Sequence, residues 1–142
     1  ITIFQPDLYN FDALLTAIED SIERTKSARL VIDPVSIIET YFTEPFKVRK
    51  NFLKLVNSAK SLGCTTIAIS QASRGTSSYS VGEFIADGVI RMYYFRKNSS
   101  FVRGITIKKM RTTNHSMTIH QVKISRPGGI VVYPDEITFY SE

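Results

Sequence analysis

Apolar side chains recur every three or four residues in two parts of the first half of the chain, and this spacing predicts two helices. The first covers about residues 11–26 behind Asn10, whose side chain can cap a helix N-terminus. The second opens with Pro45, a residue favoured in the first helical turn, and is closed by Gly63.

Short apolar runs flank these helices. The chain opens with ITIFQPD in a strand-like pattern, as if entered part-way through a fold. RLVID and CTTIAIS are β-branched runs typical of strands buried on both faces of a parallel sheet. Strand, helix and strand in this order predict a βαβ unit.

After CTTIAIS the pattern changes. A polar loop, QASRGTSSYSVG, leads to shorter stretches in which apolar and polar residues alternate, and the turn-forming segments RKNSS and RPGG separate them. The predicted fold is a single α/β domain over residues 1–142. Its parallel core carries helices on both faces, and an antiparallel meander follows the core.

Composition indicates a soluble, intracellular protein. At 142 residues and 43% hydrophobic the chain can bury one core, and its apolar runs fall far short of the roughly 20 residues that span a membrane. Cys64 is the only cysteine, which excludes an internal disulfide or a cysteine-based metal site. Its apolar neighbours predict that it is buried.

Charge is unevenly distributed along the chain. Residues 1–45 carry 8 acidic and 3 basic side chains, whereas residues 46–126 carry 2 acidic and 15 basic ones. This division favours either an acidic partner surface, which another copy of the chain could supply, or a phosphate-bearing ligand.

The basic residues are densest in IKKMRTTNHS, at the end of a predicted strand. Lys108, Lys109, Arg111 and His115 fall within eight positions there. Either the strand tip is solvated or it binds a polyanion such as a phosphate. Lys108 alternates to the other strand face and is expected to be solvated.

Two polar residues follow the predicted parallel strands, where ligands gather in sheets of this kind. Asp33 closes RLVID and could hold a hydrated magnesium ion, or it could equally cap a helix with Pro34 in its first turn. Gln71 follows CTTIAIS and could orient water or sense a phosphate, although an amide that bonds its own loop is the simpler interpretation.

Five segments in the same order resemble the KaiC-like branch of the RecA-like ATPases. RLVIDPVSII resembles the family's Walker B strand and LGCTTIAISQ resembles its following strand. GEFIADGVIRM and RGITIKKMRTTNH resemble two further characteristic segments, and GGIVVYPDE resembles the closing strand. Together they cover nearly the whole chain, and their shared order is more specific than any one segment.

The resemblance implies a cytoplasmic ATPase with active sites between neighbouring subunits of a ring, usually a hexamer, and with a regulatory role or a protein signalling partner. Lys109 and Arg111 would reach the γ-phosphate of ATP bound by the adjacent subunit, with His115 nearby. Asp33 would take the Mg²⁺ role, and Gln71 would stand where the family has an acidic or amide sensor.

The sequence also departs from the family pattern. It contains neither the phosphate-cradling loop G-x-x-x-x-G-K-[ST] nor the catalytic glutamate expected ahead of these segments. We therefore expect the later, C-terminal part of a RecA-like domain, without its N-terminal phosphate-binding part and inactive alone. Smaller departures are Pro34 in place of the usual serine, Thr112 in place of glycine and Arg126 in place of a common acid.

Two other hypotheses stay open. In a DNA-binding recombinase relative, QASRGTSSYS would lie in the pore of the ring, where Arg74 and Tyr79 could contact single strands. In a degenerate, non-enzymatic relative, the acidic and basic regions would serve assembly or signalling alone. The sequence contains no G-x-S-x-G motif, so a hydrolase with a serine nucleophile is poorly supported. His115 and His120 are poorly placed for a metal site.

Overall fold

The computed structural model describes residues 2–3, 10–36, 38, 41–71 and 81–137. Within these ranges the chain forms α1 (Phe11–Thr25), β1 (Arg29–Ile32), α2 (Pro45–Ser61), β2 (Thr65–Ala68), α3 (Val81–Ile85), β3 (Gly88–Lys97), β4 (Ser100–Met110), β5 (His120–Ser125) and β6 (Gly129–Ile137). β1 and β2 form a parallel pair, and β3 to β6 form an antiparallel sheet in sequence order. The predicted α/β core followed by a meander is confirmed.

Contacts within the chain divide it into two compact units, Ile1–Ile85 and Ala86–Glu142. The first unit holds the helices and the parallel pair, and the second holds the meander. Arg74 and Tyr79, named above for a recombinase, lie outside the described residues, as does most of ITIFQPD. None of the described helices has the length and apolar character that a membrane span requires.

α1 begins and ends where its sequence predicts. The side-chain oxygen of Asn10 accepts a hydrogen bond from the backbone N–H of Ala13 at 2.8 Å, which satisfies one of the first-turn donors. Lys26 ends the helix in the left-handed conformation, with φ 50°. The buried face of α1 consists of Phe11, Leu14, Leu15, Ile18 and Ile22.

α2 begins at Pro45, as expected, and Gly63 follows its end with φ 75°, a conformation that glycine adopts freely. Its buried side chains are Phe52, Leu55 and Ala59, and they share one core with the buried face of α1. Cys64 belongs to the same core and is 5% exposed, which confirms its predicted burial.

The parallel pair is covered on one face by this core. Leu30 and Ile32 pack against it, whereas Val31 and Ile67, which pair directly, are each 58% exposed. The expectation that these strands are buried on both faces is therefore not met within the described ranges. A run of β-branched residues favours a β-strand, but the burial of that strand depends on which elements pack against it.

The meander turns where the sequence predicts. Asn98 and Ser99 connect β3 to β4, and residues 126–128 connect β5 to β6. One face of the sheet is apolar, and seven large side chains on it are between 42% and 61% exposed: Ile90, Met92, Tyr94, Phe101, Ile124, Ile130 and Val132. Apolar faces of this size usually mark contact surfaces.

The turn end of the β3–β4 hairpin, next to Asn98 and Ser99, carries an aromatic pair. The rings of Tyr94 and Phe101 stack at a centroid distance of 4.9 Å and an interplanar angle of 8°. The guanidinium carbon of Arg103, directly opposite Tyr94 in the ladder, lies 5.3 Å from the centre of the Tyr94 ring. Stacking and cation–π attraction stabilise the hairpin at this end.

Candidate functional site

Asp33 and Gln71 lie at the same edge of the parallel pair. Beyond the strands the pairing continues, because Ile69 N–H donates to the carbonyl of Ile32 at 2.9 Å and Val35 N–H donates to the carbonyl of Ile69 at 2.8 Å. Both candidate side chains follow their strands at this edge and are exposed. The carboxyl edge of a parallel sheet is where such folds bind ligands.

Asp33 does not cap a helix that begins at Pro34. Residues 33–36 form a turn, and the peptide bond between Asp33 and Pro34 is cis. An exposed carboxylate at a strand end suits Mg²⁺, which keeps several waters and takes one or two carboxylates from a protein. Within the described ranges no three His, Cys, Asp or Glu side chains gather into a metal-holding group, so phosphate oxygens would have to supply further ligands.

Three of the candidate site residues, Lys109, Arg111 and His115, lie at the end of β4 or just after it. Lys109 is half-buried within the strand, and Arg111 follows the strand and is exposed. His115 lies in the segment after the turn, half-buried, with its Nδ1 3.1 Å from the carbonyl oxygen of Ser116. The three residues therefore lie within seven positions of the sequence, at or beyond the end of β4.

A β-bulge interrupts the ladder just before these cations. Val89 lies opposite Lys109, but the next residue, Ile90, lies opposite Ile107, so Lys108 is an extra residue in β4. A bulge of this kind bends the strand and redirects the side chains beyond it. The alternation that we expected for Lys108 does not hold, and this residue is half-buried.

Arg111 pairs with Asp87, a residue that the sequence patterns did not indicate as part of the site. Its Nη1 lies 2.9 Å from Asp87 Oδ1, and its backbone N–H donates to the Asp87 carbonyl at 2.9 Å. Because the two side chains are 53% and 54% exposed, the ion pair contributes only about 0–1 kcal/mol to stability. The sequence feature that could have indicated Asp87 is its position directly before Gly88, the first residue of β3, which pairs with β4.

The turn after Arg111 has a left-handed residue. Thr112 has φ 60°, its hydroxyl donates to the carbonyl of Arg111 at 2.6 Å, and Thr113 N–H lies 3.4 Å from the carbonyl oxygen of Met110. The family resemblance seen in the sequence implies glycine at this position. The turn thus keeps a glycine-like conformation with a β-branched residue, which is strained there.

We expect Thr112→Gly to stabilise the protein. A left-handed conformation costs a non-glycine residue about 1–2 kcal/mol, while glycine adds about 0.5–1 kcal/mol of unfolded-state entropy, so the net gain is roughly 0.5–1 kcal/mol. Urea denaturation followed by circular dichroism measures it. Thr113→Gly is the control, since Thr113 has no positive φ to relieve and the same change should destabilise. Equal losses in both variants would contradict the strain at Thr112.

The fold defines a class of protein. A parallel strand pair that packs on helices and is followed by an antiparallel meander matches part of a RecA-type α/β domain. Comparison with known proteins identifies the family within this class.

The family model of the KaiC ATPases matches residues 3–137. A solved structure of a KaiC-like protein from Pyrococcus horikoshii OT3 is similar with a TM-score of 0.75 and 39% identity, over 89% of this chain and 58% of that one. A UPF0273 protein of Aeropyrum pernix is 35% identical over 127 residues, 87% of this chain and 50% of the relative. The chain belongs to the KaiC family of ATPases, as its sequence predicts.

A more distant relative carries a functional name. The circadian clock protein KaiC3 of Synechocystis is 28% identical over 129 residues, 89% of this chain and 26% of that protein. The chain spans about half the length of the UPF0273 relatives that it matches.

Proposed function

We propose that this chain is the later part of a KaiC-family ATPase that binds and hydrolyses ATP with Mg²⁺ at the subunit interfaces of a cytoplasmic ring, a hexamer. One observation carries the proposal. Lys109, Arg111 and His115 lie at or just beyond one strand end, while the sequence contains no loop that could cradle the phosphates they would contact. In this proposal the phosphate-binding loop comes from a segment ahead of this sequence, and "the complete protein" below means this sequence preceded by such a loop.

In this proposal the first unit supplies the metal and water chemistry. The Asp33 carboxylate, at the carboxyl edge of β1, would hold Mg²⁺. Gln71, beyond β2 at the same edge, orients the attacking water with its amide. The chemistry that Mg²⁺ would supply when bound is neutralisation of negative charge on the phosphates.

The second unit supplies charge to the nucleotide of the neighbouring subunit. Lys109 and Arg111 approach the γ-phosphate, where Arg offers a planar fork of donors to its oxygens, and His115 donates a further hydrogen bond. A head-to-tail ring places one surface of each subunit against a different surface of the next. The acidic residues of 1–45 and the basic residues of 46–126 suit such a contact.

A regulatory or signalling role with a protein partner is part of the proposal. It is supported by the name of one relative, which is a circadian clock protein. Because KaiC3 is nearly four times as long as the matched region, its activity extends to this chain only as a proposal.

We expect the 142-residue chain alone to bind MgATP weakly or not at all, because it lacks the amide cradle and the lysine of the phosphate-binding loop. Isothermal titration calorimetry of the chain and of the complete protein measures the difference. The complete protein should bind in the micromolar range and hydrolyse ATP. Micromolar binding of MgATP by the 142-residue chain would show that binding does not require the phosphate-binding loop.

The same preparation separates the other two hypotheses. A complete protein that forms rings but neither binds nor hydrolyses ATP would be a degenerate assembly module. Hydrolysis that requires single-stranded DNA would instead favour the recombinase relative.

A further inference from the structure

Asp87 and Arg111 form the last rung of the β3–β4 ladder. Gly88 is paired with Met110, and the next residue on each side is Asp87 and Arg111. The hydrogen bond from the Arg111 N–H to the Asp87 carbonyl, 2.9 Å long, extends the ladder by this one rung. The two residues therefore lie directly opposite each other, where side chains of opposite charge attract.

The backbone of Arg111 is restrained from both sides. The rung to Asp87 fixes its N–H, and the turn that follows is closed by Thr113 N–H toward the Met110 carbonyl at 3.4 Å. A fixed backbone leaves the direction of the long side chain to be set by its contacts. The Asp87 carboxylate makes one such contact, with Oδ1 2.9 Å from Nη1 of the guanidinium.

We infer that Asp87 is the positioning residue for Arg111, and that it holds the guanidinium ready for the neighbour's phosphate. The inference rests on the proposed function, in which Arg111 acts across the interface. An arginine held in one orientation loses less conformational freedom when it meets its phosphate. The ion pair is half exposed and weak, so it does not compete with the charge-assisted bonds that phosphate oxygens offer.

The first test compares variants of Asp87 in the complete protein. Asp87→Ala should lower kcat by roughly threefold to tenfold and change the KM for ATP less than twofold, because misplacing a group that acts in the transition state affects turnover more than binding. Asp87→Glu, which keeps the carboxylate, should recover part of the loss. Asp135→Ala is the control, since it removes the same charge from β6.

The second test asks whether Asp87 acts through Arg111. In an Arg111→Ala background, Asp87→Ala should have no further effect on kcat, since the group that it positions is gone. Hydrogen exchange at the Arg111 amide shows whether the backbone rung survives in each variant. The inference requires that it does, because that bond uses the Asp87 carbonyl and not its side chain.

Each outcome decides one of the two claims. If Arg111→Ala leaves turnover unchanged, the proposed function fails. If Arg111→Ala lowers turnover and Asp87→Ala does not, or Asp87→Ala lowers it equally in both backgrounds, the positioning role is refuted while the proposed function stands. Faster turnover in Asp87→Ala would also refute it, because the carboxylate would then restrain Arg111 rather than prepare it.

Discussion

Mixing two defective variants of the complete protein should restore part of the ATP hydrolysis. One variant is Arg111→Ala, and the other lacks the lysine of the phosphate-binding loop. In a mixed ring, an interface that joins an intact loop to an intact Arg111 is complete. Equal, random mixing makes about one quarter of the interfaces complete, and a steady-state assay of phosphate release against mixing ratio should peak near equal proportions.

The loss of turnover in Arg111→Ala alone determines how much activity mixing can restore. Arginines that act in trans are worth about 10³ to 10⁵ in rate in GTPases, but Arg111 shares its task with Lys109, so Arg111→Ala should lower turnover roughly tenfold to a hundredfold. ATP binding should survive better than turnover, since the charge matters most as the transition state forms.

Arg103→Ala is the matched control for Arg111→Ala. Arg103 lies on the same strand and contacts Tyr94, so its loss removes an equal charge away from the proposed site. A ring that assembles from both defective variants yet stays inactive at every ratio would contradict action in trans. Failure of Arg111→Ala to assemble would make Arg111 an interface charge.

Leu55→Ala should cause a large loss of stability. Leu55 is 1% exposed and belongs to the core shared by α1 and α2. Its truncation removes buried methyl groups and leaves a cavity, which costs about 2–5 kcal/mol in comparable cores. The free energy of unfolding from urea denaturation measures the loss, and amide exchange within α2 shows that it arises in the first unit.

Leu53→Ala is the control on the same helix. Leu53 is 38% exposed, so the same truncation removes less buried surface, and the loss should stay below about 1 kcal/mol. The helix propensity changes equally in both variants, so the difference between them isolates packing. Similar losses would mean that α1 and α2 do not share the core described here.

Local patterns predicted the two long helices, the turns and most strands, but not α3, whose first residues Val81 and Gly82 fall in the segment predicted as a loop. The Asn10 cap, the Pro45 start and the Gly63 end each depend on neighbours within a few residues, and the structure has all three. Asp33 shows the limit of such patterns. An Asp followed by Pro suited both a helix cap and a strand end, and the residues that decide between them lie beyond the pair itself.

The candidate site was predicted in part. The cations at the end of β4 stand out as a cluster in the sequence, but the partner of Arg111 is 24 positions away and becomes visible only through the strand register. The exposure of Val31 and Ile67 was missed because a β-branched side chain indicates a strand but does not indicate which elements pack against that strand. The bulge at Lys108 was missed because one extra residue leaves the apolar pattern on either side intact.

The bulge restricts which changes in the length of β3 and β4 keep Asp87 opposite Arg111. β3 has 10 residues and β4 has 11, and the extra residue of β4 is the bulge that precedes Lys109. Adding one residue to each strand at the tip near Asn98 lengthens both arms equally and leaves the Asp87–Arg111 rung in register. A single insertion or deletion in one arm instead exchanges the faces of every side chain beyond it. The site therefore tolerates insertions that add one residue to each strand at the tip. It does not tolerate the insertion or deletion of a single residue within one strand.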